Sequence, residues 1–181
     1  MERTEIIAEV VSEITREAPH PIITLCQGLP KADKMDWIVQ KATELGVSAI
    51  IPLITERTIV KIKDEEKRVS RWQKIAREAA MQSNRPDIPG VGRIVSLQDF
   101  LRTPNPEPRT LNLLPWEEGT TPIKEVLRSH QNATQVIVLV GPEGGFSKEE
   151  AEAAKDRGFH LVSLGPNILR TETAAVAVLS M

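Results

Sequence analysis

Short, almost wholly apolar runs alternate along this chain with stretches whose apolar residues recur every three or four positions. The runs at 22–26, 48–54, 110–114, 135–140 and 159–164 have the length of strands. They hold too few polar residues for one side to face water, which is the pattern of strands buried on both faces. Residues 33–45 place Met35, Ile38, Val39, Ala42 and Leu45 on one face of a helix, with Gly46 as its stop. A long charged helix over 64–83 turns Trp72, Ile75, Ala76 and Ala79 inward, and Ser96 caps a short one carrying Leu97, Phe100 and Leu101. Further helices are predicted at 121–129, at 148–157 and from 172 onward. Ser147-Lys148-Glu149-Glu150 has the form of a capping box, and a short extra strand is predicted over 57–62. Strands and helices alternating at this spacing predict an α/β fold, a mostly parallel sheet with helices on both faces.

The beginning of the chain breaks the rhythm. Thr4 to Ile14 alternates loosely, as a strand would, and Ala18-Pro19-His20-Pro21 ends it, because proline removes a donor and restricts the residue before it. One strand cannot make a domain. Residues 1–17 are therefore expected to be the remnant of something larger, and residues 18–181 the main domain. Prolines mark two surface loops, at 85–90 and 104–108.

Composition narrows the class. With 181 residues and 40% hydrophobic content, the chain suits one packed domain. It has no run long enough to cross a bilayer and no signal-peptide pattern at its start, and its single cysteine, Cys26, precludes an internal disulfide. The expectation is a soluble cytoplasmic protein with no membrane contact. Cys26 itself reads as a small buried apolar residue. The formal charge of −2 gives phosphate binding no assistance, and the absence of tyrosine argues against a base-stacking platform. Trp37 and Trp72 fall on helical patterns and read as core, whereas Trp116 lies in a loop. His20, His130 and His160 are dispersed without ligand spacing, so no metal is expected.

Ligands of an open parallel sheet bind outside the carboxyl ends of its strands. Two glycine loops occupy that position. Gly141-Pro142-Glu143-Gly144-Gly145-Phe146 follows the 135–140 strand, and Leu164-Gly165-Pro166-Asn167-Ile168-Leu169-Arg170 follows the 159–164 strand. Glycine lets a backbone approach a ligand closely. Either loop alone reads equally well as a plain turn. Neither fits a P-loop or a dinucleotide fingerprint, and Glu143 would repel a phosphate while accepting hydrogen bonds from ammonium, hydroxyl or amide groups.

Taken in order, the motifs are more specific. Gly141-Pro142-Glu143-Gly144-Gly145-Phe146-Ser147 precedes Leu164-Gly165-Pro166 and then Ile168-Leu169-Arg170-Thr171-Glu172-Thr173-Ala174-Ala175. Upstream stand Lys34-Met35 with Lys41, Glu44-Leu45-Gly46-Val47, then Thr55-Glu56-Arg57 and Trp72-Gln73-Lys74-Ile75-Ala76-Arg77-Glu78-Ala79. This combination, from about residue 21 to the end, resembles the RsmE family of 16S ribosomal RNA uridine-N3 methyltransferases, in the SPOUT superfamily. The resemblance implies a C-terminal trefoil knot, S-adenosyl-L-methionine as cofactor, small-subunit ribosomal RNA as substrate and a homodimer. It also implies that residues 1–17 derive from an N-terminal PUA-like β-barrel that binds RNA.

The resemblance further implies a cofactor site made of Leu113, Leu139, Gly141, Pro142, Glu143, Gly144, Gly145, Leu164, Gly165, Ile168, Leu169, Thr171, Thr173 and Ala174. Arg170 is the candidate cation for the uridine oxygens or the target phosphate, against the plainer role of a salt bridge to Glu143 or Glu172. Glu172 is the candidate that orients Arg170 or accepts the proton. Its plainer role is to complement a helix dipole. Lys31, Lys34 and Arg85, with Arg170, are candidate RNA contacts, against simple solvation. Two other readings stand beside the enzyme: a cofactor-binding dimerisation module that no longer modifies RNA, and an unrelated α/β nucleotide-binding enzyme.

Overall fold

The computed structural model describes residues 9, 11, 21–60, 64–103 and 108–181. The strand predicted over 4–14, most of the proline break at 18–21 and the loop at 104–108 lie largely or wholly outside these residues.

Among the described residues, eight strands form one sheet in the order β3-β2-β1-β7-β5-β8-β6, with β4 also paired to β2. They are β1 (Ile22–Gly28), β2 (Ala49–Ile54), β3 (Gly90–Val91), β4 (Val95–Ser96), β5 (Thr110–Pro115), β6 (Thr121–Pro122), β7 (Gln135–Val140) and β8 (Phe159–Ser163). Every pairing is parallel. The helices are α1 (Lys34–Glu44), α2 (Glu65–Gln82), α3 (Leu97–Arg102), α4 (Ile123–Ser129), α5 (Lys148–Asp156) and α6 (Thr171–Leu179).

Successive strand residues point to opposite faces, and both faces are buried. Leu25, Leu113 and Val138 enter one core with Ile38 and Val39 of α1, Trp72 of α2, Val126 of α4 and Val178 of α6. Their neighbours Cys26, Leu114 and Leu139 enter a second core with Leu101 of α3 and Ala154 of α5. This two-sided burial is why the strands read as continuous apolar runs. Both predicted caps form: the Ser96 hydroxyl accepts from the Asp99 amide, and Ser147 and Glu150 make the reciprocal capping box.

Three expectations are corrected. No strand forms over 57–60; the Thr58 amide donates to the Thr55 carbonyl and the Thr58 hydroxyl accepts from the Thr55 amide, closing a turn instead. Positions 61–63 are outside the described residues. Trp37 is 43% exposed, because the buried face of α1 runs through Met35, Ile38, Val39 and Ala42 and position 37 falls off it. Leu45 caps α1 at the surface rather than extending that face. No helix among the described residues is long and apolar enough to cross a membrane.

Candidate active site

Because the sheet is parallel, β5, β7 and β8 all end at the same edge. Their exits, with the first turn of α6, enclose a cleft of about 420 Å³, within the range of small-molecule sites. One wall is the loop after β7, Gly141 to Phe146. The opposite wall is the loop after β8, Leu164 to Arg170, and Pro115, Trp116 and Glu117 close a third side.

The first loop is held from several directions. The Glu143 carboxylate accepts from the Lys31 amide at 3.0 Å and from the Lys34 ammonium at 2.9 Å. Arg57 donates to the Gly144 carbonyl at 2.7 Å, and its stem lies against Gly144, where a Cβ would come within 3.1 Å of the Arg57 Cβ. Phe146 is buried in the second core. At the root, Thr171 Oγ1 donates to the Gly141 carbonyl at 2.5 Å, and Gln27 Nε2 donates to Thr171 Oγ1 at 2.9 Å.

The second loop is held lightly. Ser163 Oγ accepts from the Gly165 amide and donates to the Gly165 carbonyl, both at 3.2 Å. Gly165 has φ +132°, a conformation that strains any side chain, and a Cβ there would project into open space. Gly165, Pro166 and Asn167 are exposed, and Ile168 is 81% exposed.

Lys34 opens α1, at the positive end of a helix dipole where a cation is unfavourable. Two carboxylates offset this. Its ammonium meets Glu143 at 2.9 Å and Glu172 Oε2 at 3.4 Å. The Glu172 contact is an ion pair without hydrogen-bond geometry, so Oε2 is buried with no hydrogen-bond partner. The hydrogen bond to Glu143 raises the Lys34 ammonium above its ordinary range, partial desolvation opposes this, and the charges of Glu143 and Glu172 add to the rise. Burial pushes the Glu143 carboxyl up, but hydrogen bonds from Lys34 and the backbone outweigh it and hold the group below the usual carboxylate range.

Of the residues singled out in the sequence, Gly141, Pro142, Glu143, Gly144, Gly145, Leu164, Gly165, Ile168, Leu169, Thr171 and Ala174 line the cleft, with Lys34 and Arg170. Arg170 is exposed and makes neither of its alternative salt bridges; Lys34 takes both carboxylates. Leu113 and Leu139 do not line the cleft. They point into opposite cores at 1% and 0% exposure, and Pro115 and Trp116, farther along the β5 exit, stand at the wall instead. Thr173 faces solvent.

Arg85 is turned inward rather than toward a phosphate. It donates to the carbonyls of Thr43 and Val47, completing the end of α1, and pairs with Asp87. His130 and His160, far apart in sequence, have ring centroids 4.9 Å apart. Among the described residues there is no group of three or more metal-ligating side chains. Gln27 and Arg57 were not legible as site residues. Gln27 carried one signal, an uncharged polar residue at the end of an apolar strand.

An all-parallel α/β sheet with a ligand-sized cleft between two glycine loops at its carboxyl edge defines a class of small-molecule-binding enzyme domain. A family profile described as RNA methyltransferase domain matches residues 16–181. The ribosomal RNA small subunit methyltransferase E of Aquifex aeolicus is 39% identical over 99% of this chain and 76% of its own length. That of Bacillus subtilis is 37% identical over 91% of this chain, which spans 66% of the relative. A crystal structure of the Neisseria gonorrhoeae ribosomal RNA small subunit methyltransferase E bound to S-adenosyl methionine superposes with a TM-score of 0.82 at 35% identity, covering 92% of this chain and 68% of that one. The chain belongs to the RNA methyltransferase family of the ribosomal RNA small subunit methyltransferases E.

Proposed function

We propose that the chain is an S-adenosylmethionine-dependent methyltransferase acting on N3 of a uridine in small-subunit ribosomal RNA. The observation that carries this is the cleft itself: two glycine loops with close-approaching backbone, apolar Leu164 and Leu169, and room for a nucleoside. When bound, S-adenosylmethionine supplies a methyl group on a sulfonium, open to in-line displacement. The chain's own work is alignment and charge stabilisation.

Exposed Arg170, free of any carboxylate partner among the described residues, faces the cleft and stabilises the uridine oxygens as N3 gives up its proton. Glu172, next in sequence to the cleft-lining Thr171 and with its Oε2 paired to the Lys34 ammonium at 3.4 Å, is the proton acceptor in this reading. Its ion pair is with Lys34 and not with Arg170, which speaks against its orienting Arg170. The exposed ammonium of Lys31 at the rim is left for an RNA phosphate, while Lys34 serves the cleft.

The same reading includes a trefoil knot. Its support is that α6, after leaving β8, returns across the sheet to pack on α1 and β7. A homodimer is included too, supported by the strongly apolar α6 and by Met181, 51% exposed beyond it. The same reading takes residues 1–17 as the remnant of an N-terminal PUA-like RNA-binding domain and 18–181 as the methyltransferase domain, at work in the cytoplasm on the small ribosomal subunit.

The test is transfer of labelled methyl from S-adenosylmethionine to unmethylated small subunits, located by mass spectrometry. Methyl on a uridine N3, lost in Arg170→Ala while cofactor affinity holds, is expected. Unchanged turnover in Arg170→Ala removes that residue from the chemistry. Cofactor binding with no methyl transfer assigns the chain to the binding-module reading instead.

A further inference from the structure

We infer that Gln27, buried beneath the cleft at the end of β1, is a positioning residue that fixes the two glycine loops relative to each other and so sets cofactor affinity. The inference rests on the reading of the cleft as the S-adenosylmethionine site.

Gln27 is fully buried. Its amide nitrogen has two hydrogens and makes two short bonds, to the Gly28 carbonyl and to Thr171 Oγ1, both at 2.9 Å. The carbonyls of Gly141 and Val140 stand farther off, at 3.4 and 3.5 Å. The Thr171 hydroxyl, having accepted from Gln27, donates to the Gly141 carbonyl. Gly141 is the root of the first loop. Thr171 begins α6, directly after the second. One carboxamide thus joins the start of one cleft wall to the end of the other, across 114 and 144 positions of sequence.

The nitrogen's placement is dictated by its neighbours. With the amide reversed, its oxygen would face three carbonyl oxygens, and a carboxylate there would be worse. The geometry carries a cost: Gln27 Oε1 is buried with no partner, and an unpaired buried acceptor destabilises a fold. An apolar side chain would avoid the cost and lose the donor that holds Thr171. The adjacent Gly28 makes the same junction tight. A Cβ there would lie 2.6 Å from Pro142 Cδ and 2.7 Å from the Pro142 nitrogen. The end of β1 therefore supports the Gly141–Pro142 turn from below by contact and by hydrogen bond. Gln27 and Gly28 are not among the residues that line the cleft, so their effect on a ligand passes through Thr171 and the loops.

The test is calorimetric titration of the full chain with S-adenosylmethionine for wild type, Gln27→Leu, Thr171→Val, the double variant and Gln27→Glu, each first verified as folded by circular dichroism. Each single change is expected to weaken binding about tenfold, and the double variant no more than about tenfold, because the two groups act in one chain of hydrogen bonds. Gln27→Glu adds a reading that packing alone would not move. Its affinity is expected to be poor near about pH 8 and to recover toward wild type near about pH 5.5, where a protonated carboxyl again donates; wild type and Gln27→Leu stay flat. Should Gln27→Leu not fold, Gln27→Met, of similar length and without the donor, takes its place and is expected to show the same loss. Wild-type affinity in folded Gln27→Leu, or additive losses in the double variant, overturns the role of Gln27 alone. No binding by wild type overturns the cleft reading and this inference with it.

Discussion

The two walls of the cleft are built from similar residues and held in opposite ways. The loop after β7 is anchored at its root by Thr171, at its tip through Glu143 and Lys34, and along its side by Arg57, and it ends in buried Phe146. Among the described residues the loop after β8 is held by the Ser163 hydroxyl and by Leu164 against the first core, and it leaves Ile168 standing in solvent. Rigid parts of a protein have many buried contacts, and elements that move on binding come from the weakly held end of the range. In the proposed function the first wall is the preformed template and the second, with Ile168 81% exposed, is the flap that closes on the ligand.

The strongest challenge to this comparison is Gly165→Arg. At φ +132° any side chain is strained, and the new one stands at a residue that lines the cleft. Cofactor affinity is expected to fall about a hundredfold or more, since strain of about 1–3 kcal/mol adds to obstruction. Calorimetry reads the loss and circular dichroism verifies the fold. Near-normal binding would mean that the second loop forms no part of the site.

On the template side, Lys34→Met leaves the carboxylates of Glu143 and Glu172 without their shared cation. A fall of about tenfold in affinity is expected, against about threefold for Glu143→Gln, because the exposed pair is screened by solvent. Its pH dependence has a defined sign. Glu143 is held below its ordinary range, so its contribution is present above the unfolded carboxyl value and lost as pH falls through the lower, folded one. Lys34 is raised, so its contribution is present below the unfolded lysine value and lost only as pH rises through the higher, folded one. Wild-type binding should therefore be insensitive to this pair from about pH 5 to about pH 10. A transition near neutrality that Lys34→Met abolishes would contradict the assignment.

Ile168→Ala sharpens the role of the flap. At 81% exposure its removal should change stability by no more than about 0.5 kcal/mol. Affinity should fall about fivefold if the side chain becomes covered on binding. Unchanged affinity would leave the exposed isoleucine unexplained. The smallest effect belongs to Ala32, at φ +54° in the turn that brings the Lys31 amide to Glu143. Ala32→Gly should relieve about 1 kcal/mol of left-handed strain and raise Tm by about 2–4 °C, measured by thermal denaturation.

Much of the scaffold was legible because burial on both faces gives strands such as Gln135–Val140 a continuous apolar signature, and the glycine loops announce themselves at strand ends. Side-chain direction was not. Leu113 and Leu139 lie on strands that feed the cleft, yet pleating sends them into opposite cores. Arg85 has the composition of a phosphate ligand, but it completes the carbonyls at the end of α1. The partnership of Lys34 with Glu143 spans 109 positions, and the Gln27–Thr171 bond spans 144. No local pattern encodes such pairs. They exist only once β1 and β7 lie side by side.

In the proposed function S-adenosylmethionine enters between a fixed wall and a closing one. Hydrogen exchange of the loop amides, with and without S-adenosylmethionine, tests it most directly. Residues 141–146 are expected to exchange slowly in both states, while residues 164–170 exchange fast in the free chain and slow markedly on binding. No change in either loop, or protection gained mainly at 141–146, would contradict it.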